Sequence, residues 1–101
     1  MTLDDALTVF GEYLAIPPAD LIRYAAEDTL GGYHSDPALS AWPGGSLWED
    51  EGKALYALVR ALRPFNILEL GVHVGASTSH LRRAAQRNGY GYVRSVDKWE
   101  G

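Results

Sequence analysis

The sequence predicts an α/β domain that contains the first half of a doubly wound nucleotide-binding sheet. Three observations carry this prediction. A short apolar run, residues 67–70, is followed by a G-x-x-x-G turn at residues 71–75. A helix-like segment then leads to a second β-type run, residues 92–96, which ends at Asp97. The order is strand, glycine turn, helix, strand and acid, so we expect a ligand crevice where both strands end.

The two glycines of the turn suit a bound nucleotide. Gly71 and Gly75 can adopt backbone angles closed to other residues, and they let a ligand lie against the main chain. The next helix offers free N–H groups and the positive end of its dipole. Ser77 and the two residues after it add hydroxyls in the first turn. Asp97 follows Gly75 by 22 residues, at a strand end where a carboxylate can accept both hydroxyls of a ribose.

The spacing within the turn separates two classes of nucleotide. A dinucleotide fingerprint has glycine at a middle position, where this chain has His73, so close approach of a pyrophosphate is disfavoured. Glu69 lies two residues before the first glycine, and a carboxylate there suits an ammonium group better than a diphosphate. A ligand with a cationic amine, a carboxylate and a ribose fits best, and S-adenosylmethionine has all three. Half of an NAD-dependent oxidoreductase is the alternative.

The segment Glu69–Ser77 has the pattern E-x-G-x-x-x-G-x-S. It resembles the first motif of class I S-adenosylmethionine-dependent methyltransferases, in the catechol-O-methyltransferase-like branch. The residues between Trp48 and Pro64 are similar to the helix that leads into that motif, and Ser95–Trp99 is similar to the end of the second strand. The resemblance extends over about residues 46–101. It implies a Rossmann-like methyltransferase fold with S-adenosyl-L-methionine as the cofactor.

The resemblance also implies how the cofactor would be held. Both glycines of the turn would contact it, Ser77 would lie near the methionine carboxylate, and Glu69 would lie near the methionine amine. Asp97 would bind the ribose. We expect His73 to pack on the ribose or on the methionine chain. The parent enzyme would transfer the methyl group to an oxygen, or alternatively a nitrogen, of a small-molecule acceptor. The sequence gives neither the identity of the acceptor nor the catalytic residues of the enzyme.

Residues 1–44 predict a helical cap ahead of the nucleotide module, which we place at residues 45–101. Thr2 and Asp5 form the sequence pattern of a capping box, followed by apolar residues at three- and four-residue steps over about residues 3–15. A second helix is expected to begin at Pro18. We expect it to end at the glycine pair of residues 31–32.

The cofactor-binding half predicts two further helices. A third helix, after a loop over residues 31–46, should end before Pro64 and bury a face that includes Gly52 and Leu62. A fourth helix should follow the glycine turn and end at the Asn-Gly pair of residues 88–89.

Length and composition limit the class of protein. A chain of 101 residues is one domain at most, and 47 % hydrophobic residues exclude a disordered chain. The absence of cysteine excludes disulfides and thiolate metal sites. No apolar run approaches the length of a membrane span. We therefore expect a cytoplasmic protein without a membrane partner.

Charge is unevenly distributed along the chain. Residues 1–51 hold ten acids and one base, whereas residues 52–101 hold eight bases and three acids. Nucleic-acid binding is one interpretation of the basic half. Because the net charge is −4, we instead interpret Arg82, Arg83 and Arg87 as the solvated face of a helix, and we expect no nucleic-acid partner.

The histidines do not predict a metal centre. His34, His73 and His80 are 39 and 7 residues apart and have no acidic partner at ligand spacing. We predict no metal site. His80 is expected to be exposed or to be hydrogen bonded to near neighbours in the chain.

The pattern supplies only the first two strands of a doubly wound sheet. Two strands rarely stand alone, and an apolar strand with an unpaired edge promotes aggregation. We therefore expect a truncated or N-terminal part of a methyltransferase, inactive alone, whose sheet is completed by a missing C-terminal segment or by a homo-oligomer. A non-catalytic assembly module that completes its sheet with a partner chain is the other alternative.

Overall fold

The computed structural model describes residues 2–29, 45–70 and 76–96. In chain order these residues form α1 (Leu3–Leu14), α2 (Pro18–Glu27), α3 (Gly45–Leu62), β1 (Asn66–Leu70), α4 (Ala76–Asn88) and β2 (Tyr92–Val96). The two strands form one parallel sheet. Within these ranges the protein is a small α/β domain of four helices and two strands, and the predicted α/β class is confirmed.

The capping box predicted for α1 is confirmed. The main-chain N–H of Thr2 donates to Oδ2 of Asp5, and the N–H of Asp5 donates to Oγ1 of Thr2, both at 3.1 Å. The helix ends at Leu14, and Ala15 caps it in the left-handed conformation with φ 57°. The chain then returns so closely that a Cβ on Gly11 would lie 2.6 Å from the carbonyl oxygen of Ile16. Glycine is required there by contact between main chains.

α2 begins at Pro18 as predicted, but the predicted end at residues 31–32 is wrong because the helix ends at Glu27. Asp28 leaves the helix with extended angles, φ −80° and ψ 104°. Its carbonyl oxygen accepts a hydrogen bond from Nζ of Lys53 at 2.6 Å, and its carboxylate is bound by His80. These long-range contacts fix Asp28 outside the helix. Residues 31–32 lie outside the described residues.

α3 lies between two hydrophobic clusters. The first two helices pack on one side of it, in a cluster of Leu7, Leu21, Ala25 and Ala57. α4 and the sheet pack on the other side, in a cluster of Tyr56, Val59, Leu81 and Ala84 against which Ile67 and Val93 lie. Leu62 was predicted on the buried face but is exposed, because it is the last residue of α3 and the chain turns away at Arg63, where φ is 52°.

The two faces of the sheet differ in their covering. On the inner face, the alternate positions of each strand are half-buried. The outer sheet face, which we define as Leu68, Leu70, Tyr92 and Val96, is exposed, with Leu68 at 66 % and Leu70 at 73 %. Parallel strands are usually buried on both faces. The outer sheet face is therefore an uncovered, largely apolar surface of the described fold, and the exposed Arg94, the register partner of Leu68, lies on the same side of the sheet.

None of the helices within the described ranges combines the length and the apolar character that crossing a membrane requires.

Candidate functional site

The carboxyl ends of both strands meet at one edge of the sheet. β1 and β2 are parallel and pair from Asn66 with Tyr92 to Leu70 with Val96. The prediction that residues 67–70 are an extended strand alongside residues 92–96 is confirmed. α4 begins at Ala76 and lies between the two strands in the chain. In open α/β sheets this edge is where ligands bind.

Glu69 joins three elements at this edge. Its Oε1 accepts hydrogen bonds from Oγ1 of Thr78, in the first turn of α4, and from Oγ of Ser95, in β2, the latter at 3.1 Å. Glu69 and Ser95 are direct register partners on the two strands, and the side chain of Glu69 is half-buried. The carboxylate is therefore held between the end of β1, the first turn of α4 and β2.

The other predicted cofactor residues divide into described and undescribed positions. Ser77 lies in the first turn of α4, half-buried, next to Thr78 in sequence. Gly71, His73, Gly75 and Asp97 lie outside the described residues, so their predicted roles stay predictions. Within the described chain, one predicted residue, Glu69, thus contacts two hydroxyl groups of the same edge.

Thr78 and Ser95 were not singled out as site residues from the sequence. A signal for Ser95 existed, because the register of two parallel strands that end together places it opposite Glu69. Thr78 follows Ser77 in the hydroxyl run at the start of α4. Spacing alone could not tell which hydroxyl of that run faces the strand.

The expectation that His80 is exposed or locally bonded is wrong. Nδ1–H of His80 donates to Oδ2 of Asp28 at 2.5 Å, across 52 residues of sequence, and both side chains are buried, at 3 % and 0 % exposure. The imidazole lies against Gly52 of α3, where an added Cβ would come within 2.3–2.6 Å of the ring atoms Nε2, Cε1 and Cδ2. A histidine that a local reading placed at the surface therefore joins α4 to the chain after α2 and to α3.

A second polar junction joins the end of α2 to the far end of α4. Nε of Arg60 donates to Oε1 of Glu27 at 2.8 Å, and Nη1 of Arg60 donates to Oδ1 of Asn88 at 2.6 Å. The hydroxyl of Tyr56 donates to Oε1 of Glu27 at 3.1 Å. The guanidinium of Arg60 also stacks over the ring of Tyr24, 4.7 Å from its centroid. Arg60 thus connects three helices.

These contacts shift three pKa values. The hydrogen bond from Arg60 holds the pKa of Glu27 below its ordinary value of 4.5, and the same bond raises the pKa of Arg60. Burial raises the pKa of Tyr56, and its hydrogen bond to Glu27 raises it further. The side chains of Glu27 and Arg60 retain 24 % and 14 % exposure. Ionisation of Glu27 is therefore coupled to folding.

Among the residues that the structure describes, no three His, Asp or Glu side chains are grouped so that they could hold a metal ion. A half-buried carboxylate with two hydroxyl neighbours, such as that of Glu69, can accept hydrogen bonds from a cationic donor near the carboxyl ends of the strands.

Comparison of this chain with protein-family models, with curated proteins and with solved structures gives no match.

Proposed function

We propose that this chain carries the first half of the cofactor site of an S-adenosylmethionine-dependent methyltransferase with a Rossmann-like fold. The observation that supports the proposal is the parallel β1–α4–β2 unit with the Glu69 carboxylate near the carboxyl ends of its strands. The motif E-x-G-x-x-x-G-x-S begins at that carboxylate. The fold class, the strand order and the motif therefore support the same kind of site.

The hydrogen bonds of Glu69 suit the cationic end of the cofactor. In the described part of the chain, both of its donors are neutral hydroxyls, from Thr78 and Ser95. Hydroxyl donors orient a carboxylate without neutralising it, so its attraction for an ammonium group is retained. The methionine amine of S-adenosylmethionine is such a group. A pyrophosphate beside the same carboxylate would be repelled, which disfavours a dinucleotide.

Bound S-adenosylmethionine supplies an activated methyl group. In this proposal Glu69 binds the methionine amine and Ser77 the methionine carboxylate. The main chain of residues 71–75 lies against the cofactor, with His73 packed on it, and Asp97 binds the ribose. The chain would orient the methyl group for attack by an oxygen of a small-molecule acceptor, and the parent enzyme would supply the acceptor surface.

Replacing Glu69 with Gln should weaken binding of S-adenosylhomocysteine, which keeps the methionine amine, by roughly ten- to a hundredfold. A hydrogen bond to a charged group is worth about 1.5–3 kcal/mol, and the amide removes the negative charge. Isothermal titration calorimetry of both proteins measures the effect. Glu12→Gln is the matched control, because Glu12 is an exposed carboxylate on α1 and its loss should leave the affinity unchanged.

Competition with NAD separates the proposed site from the oxidoreductase alternative. We expect NAD to leave bound S-adenosylhomocysteine in place. Displacement by NAD, or equal affinity of the wild-type protein and Glu69→Gln, would argue against the methyltransferase site.

A second candidate function is a non-catalytic assembly module, which the outer sheet face favours. A second copy of the chain, related by a twofold axis, could pack its outer sheet face against this one, as the two sheets of a β-sandwich do. Leu68 would lie in such an interface, and the apolar side chains of both copies would be shielded from water.

For this candidate, Leu68→Thr should convert a discrete dimer into monomers in sedimentation velocity experiments. Each buried leucine contributes about 1.5–3 kcal/mol, and a twofold interface loses two of them. Threonine keeps the preference for a strand. Leu62→Thr is the control, since Leu62 is also exposed but lies at the end of α3. A monomeric wild-type chain would exclude this assembly.

A further inference from the structure

Asp28 is held at the junction of three elements. Its carboxylate accepts from Nδ1–H of His80 on α4, and its carbonyl oxygen accepts from Nζ of Lys53 on α3. The exposure of the Asp28 side chain is 0 % and that of the His80 side chain is 3 %. Because water does not reach this carboxylate, its protein donors must balance the loss of hydration.

The imidazole has little freedom to leave this position. A Cβ on Gly52 would lie within 2.6 Å of three ring atoms, so the ring packs directly on the main chain of α3. One nitrogen of the ring is bound to Asp28 and one face of the ring meets Gly52. The beginning of α4 is therefore fixed from two directions, by the segment after α2 and by α3.

His80 lies in the same part of α4 as the cofactor residues. It follows Thr78, which donates to Glu69, by two residues, and it follows Ser77 by three, close to one helical turn. A shift of His80 would therefore move the Thr78 hydroxyl that donates to Glu69. Small displacements of ligand-positioning groups weaken a site strongly.

We propose that Asp28 is a positioning residue for the cofactor site, acting through His80 on the first turns of α4. The inference rests on the proposed function, since it concerns the affinity of that site. It gives the N-terminal helices a role beyond covering α3, because the residue that follows α2 sets the position of a helix start that the cofactor would contact. Asp28 itself would not touch the cofactor.

The experiment is titration of the wild-type chain and of Asp28→Asn with S-adenosylhomocysteine, by calorimetry. We expect Asp28→Asn to weaken binding by about tenfold or more. The amide signals of Ser77 and Thr78 should also shift in a ¹H–¹⁵N spectrum without ligand. The control is Gly11→Ala, whose clash with the carbonyl oxygen of Ile16 should destabilise the fold far from α4 and leave both readouts as in the wild type.

The outcomes separate the inference from the proposed function. If the wild-type chain does not bind S-adenosylhomocysteine, the proposed function fails and the positioning role falls with it. If the wild-type chain binds and Asp28→Asn binds equally well, the positioning role alone is overturned. If Asp28→Asn does not fold, Lys53→Met is titrated instead, because Lys53 holds the main chain of Asp28 and thereby the carboxylate that binds His80. A loss of affinity in that variant supports the inference, and an unchanged affinity overturns it.

Discussion

Gly52→Ala should lower the free energy of unfolding by roughly 2–4 kcal/mol, although alanine is the better helix former. The added Cβ would meet Nε2, Cε1 and Cδ2 of His80 at 2.3–2.6 Å, well inside contact distance, so the imidazole must move. Overpacking of this kind costs about 1–3 kcal/mol. Movement of the ring also weakens its bond to the buried carboxylate of Asp28, which adds about 1–3 kcal/mol. Urea unfolding at pH 7 measures the change.

Gly52→Ala should have the opposite effect on the free energy of unfolding in a protein that lacks the imidazole of His80. In a His80→Ala background there is room for the Cβ, and alanine is favoured over glycine inside a helix by about 1 kcal/mol. Gly52→Ala should then be neutral or stabilising. This double-mutant cycle isolates the contact between Gly52 and His80. If Gly52→Ala lowers the free energy of unfolding equally in both backgrounds, its effect does not arise from contact with His80.

Local patterns in the sequence predicted the elements that depend on local physics. The capping box at Thr2 and Asp5 forms as predicted, because both of its hydrogen bonds join residues three apart. The apolar runs at residues 67–70 and 92–96 predicted two strands, and these pair in parallel. Pro18 begins α2 as expected, since its fixed φ suits a first helical position.

Contacts between distant residues could not be predicted in the same way. The end of α2 was misplaced because Asp28 is held by Lys53 and His80, which lie 25 and 52 residues further along the chain. No spacing rule relates residues so far apart. The reason for a glycine at residue 52 was missed for the same cause, since its neighbour is the ring of His80 and not another residue of α3.

The candidate site could be predicted from the sequence only in part. Glu69 was predicted from a local motif, and its position at the strand edge follows from the parallel order of the strands. Its bonds to Thr78 and Ser95 depend on the register of β1 with β2 and on the packing of α4. Register could have been inferred from the sequence, because both strands are five residues long and end at a common edge. The packing of α4 could not.

Two polar junctions hold α4, and they begin at the neighbouring residues Glu27 and Asp28. Glu27, through Arg60, reaches Asn88 at the end of α4, and Asp28 reaches His80 near its beginning. The last residue of α2 and its successor thus fix both ends of one helix. A substitution in either junction should therefore alter the position of α4.

Arg60→Met should lower the free energy of unfolding by roughly 2–4 kcal/mol at pH 7. Methionine keeps much of the apolar stem, but Glu27 loses its charged partner and Oδ1 of Asn88 loses its donor. Removing one partner from a largely buried pair leaves a poorly solvated charge, which is the main cost. Arg23→Met is the matched control, because Arg23 forms an exposed pair with Asp20, and its loss should cost no more than about 0.5 kcal/mol.

The pH dependence of the stability difference between the wild-type protein and Arg60→Met tests whether the charge on Glu27 causes it. The pKa of Glu27 is lower in the folded protein than its ordinary value of 4.5, chiefly because of the bond from Arg60. The stability from this pair is therefore complete above pH 4.5 and is lost as the pH falls through the lower folded pKa. The gap between the wild-type protein and Arg60→Met should narrow as the pH falls from about 5 toward 3. A constant gap across that range would mean that Arg60 stabilises the fold by its packing on Tyr24 and its bond to Asn88, and that the charge on Glu27 contributes little.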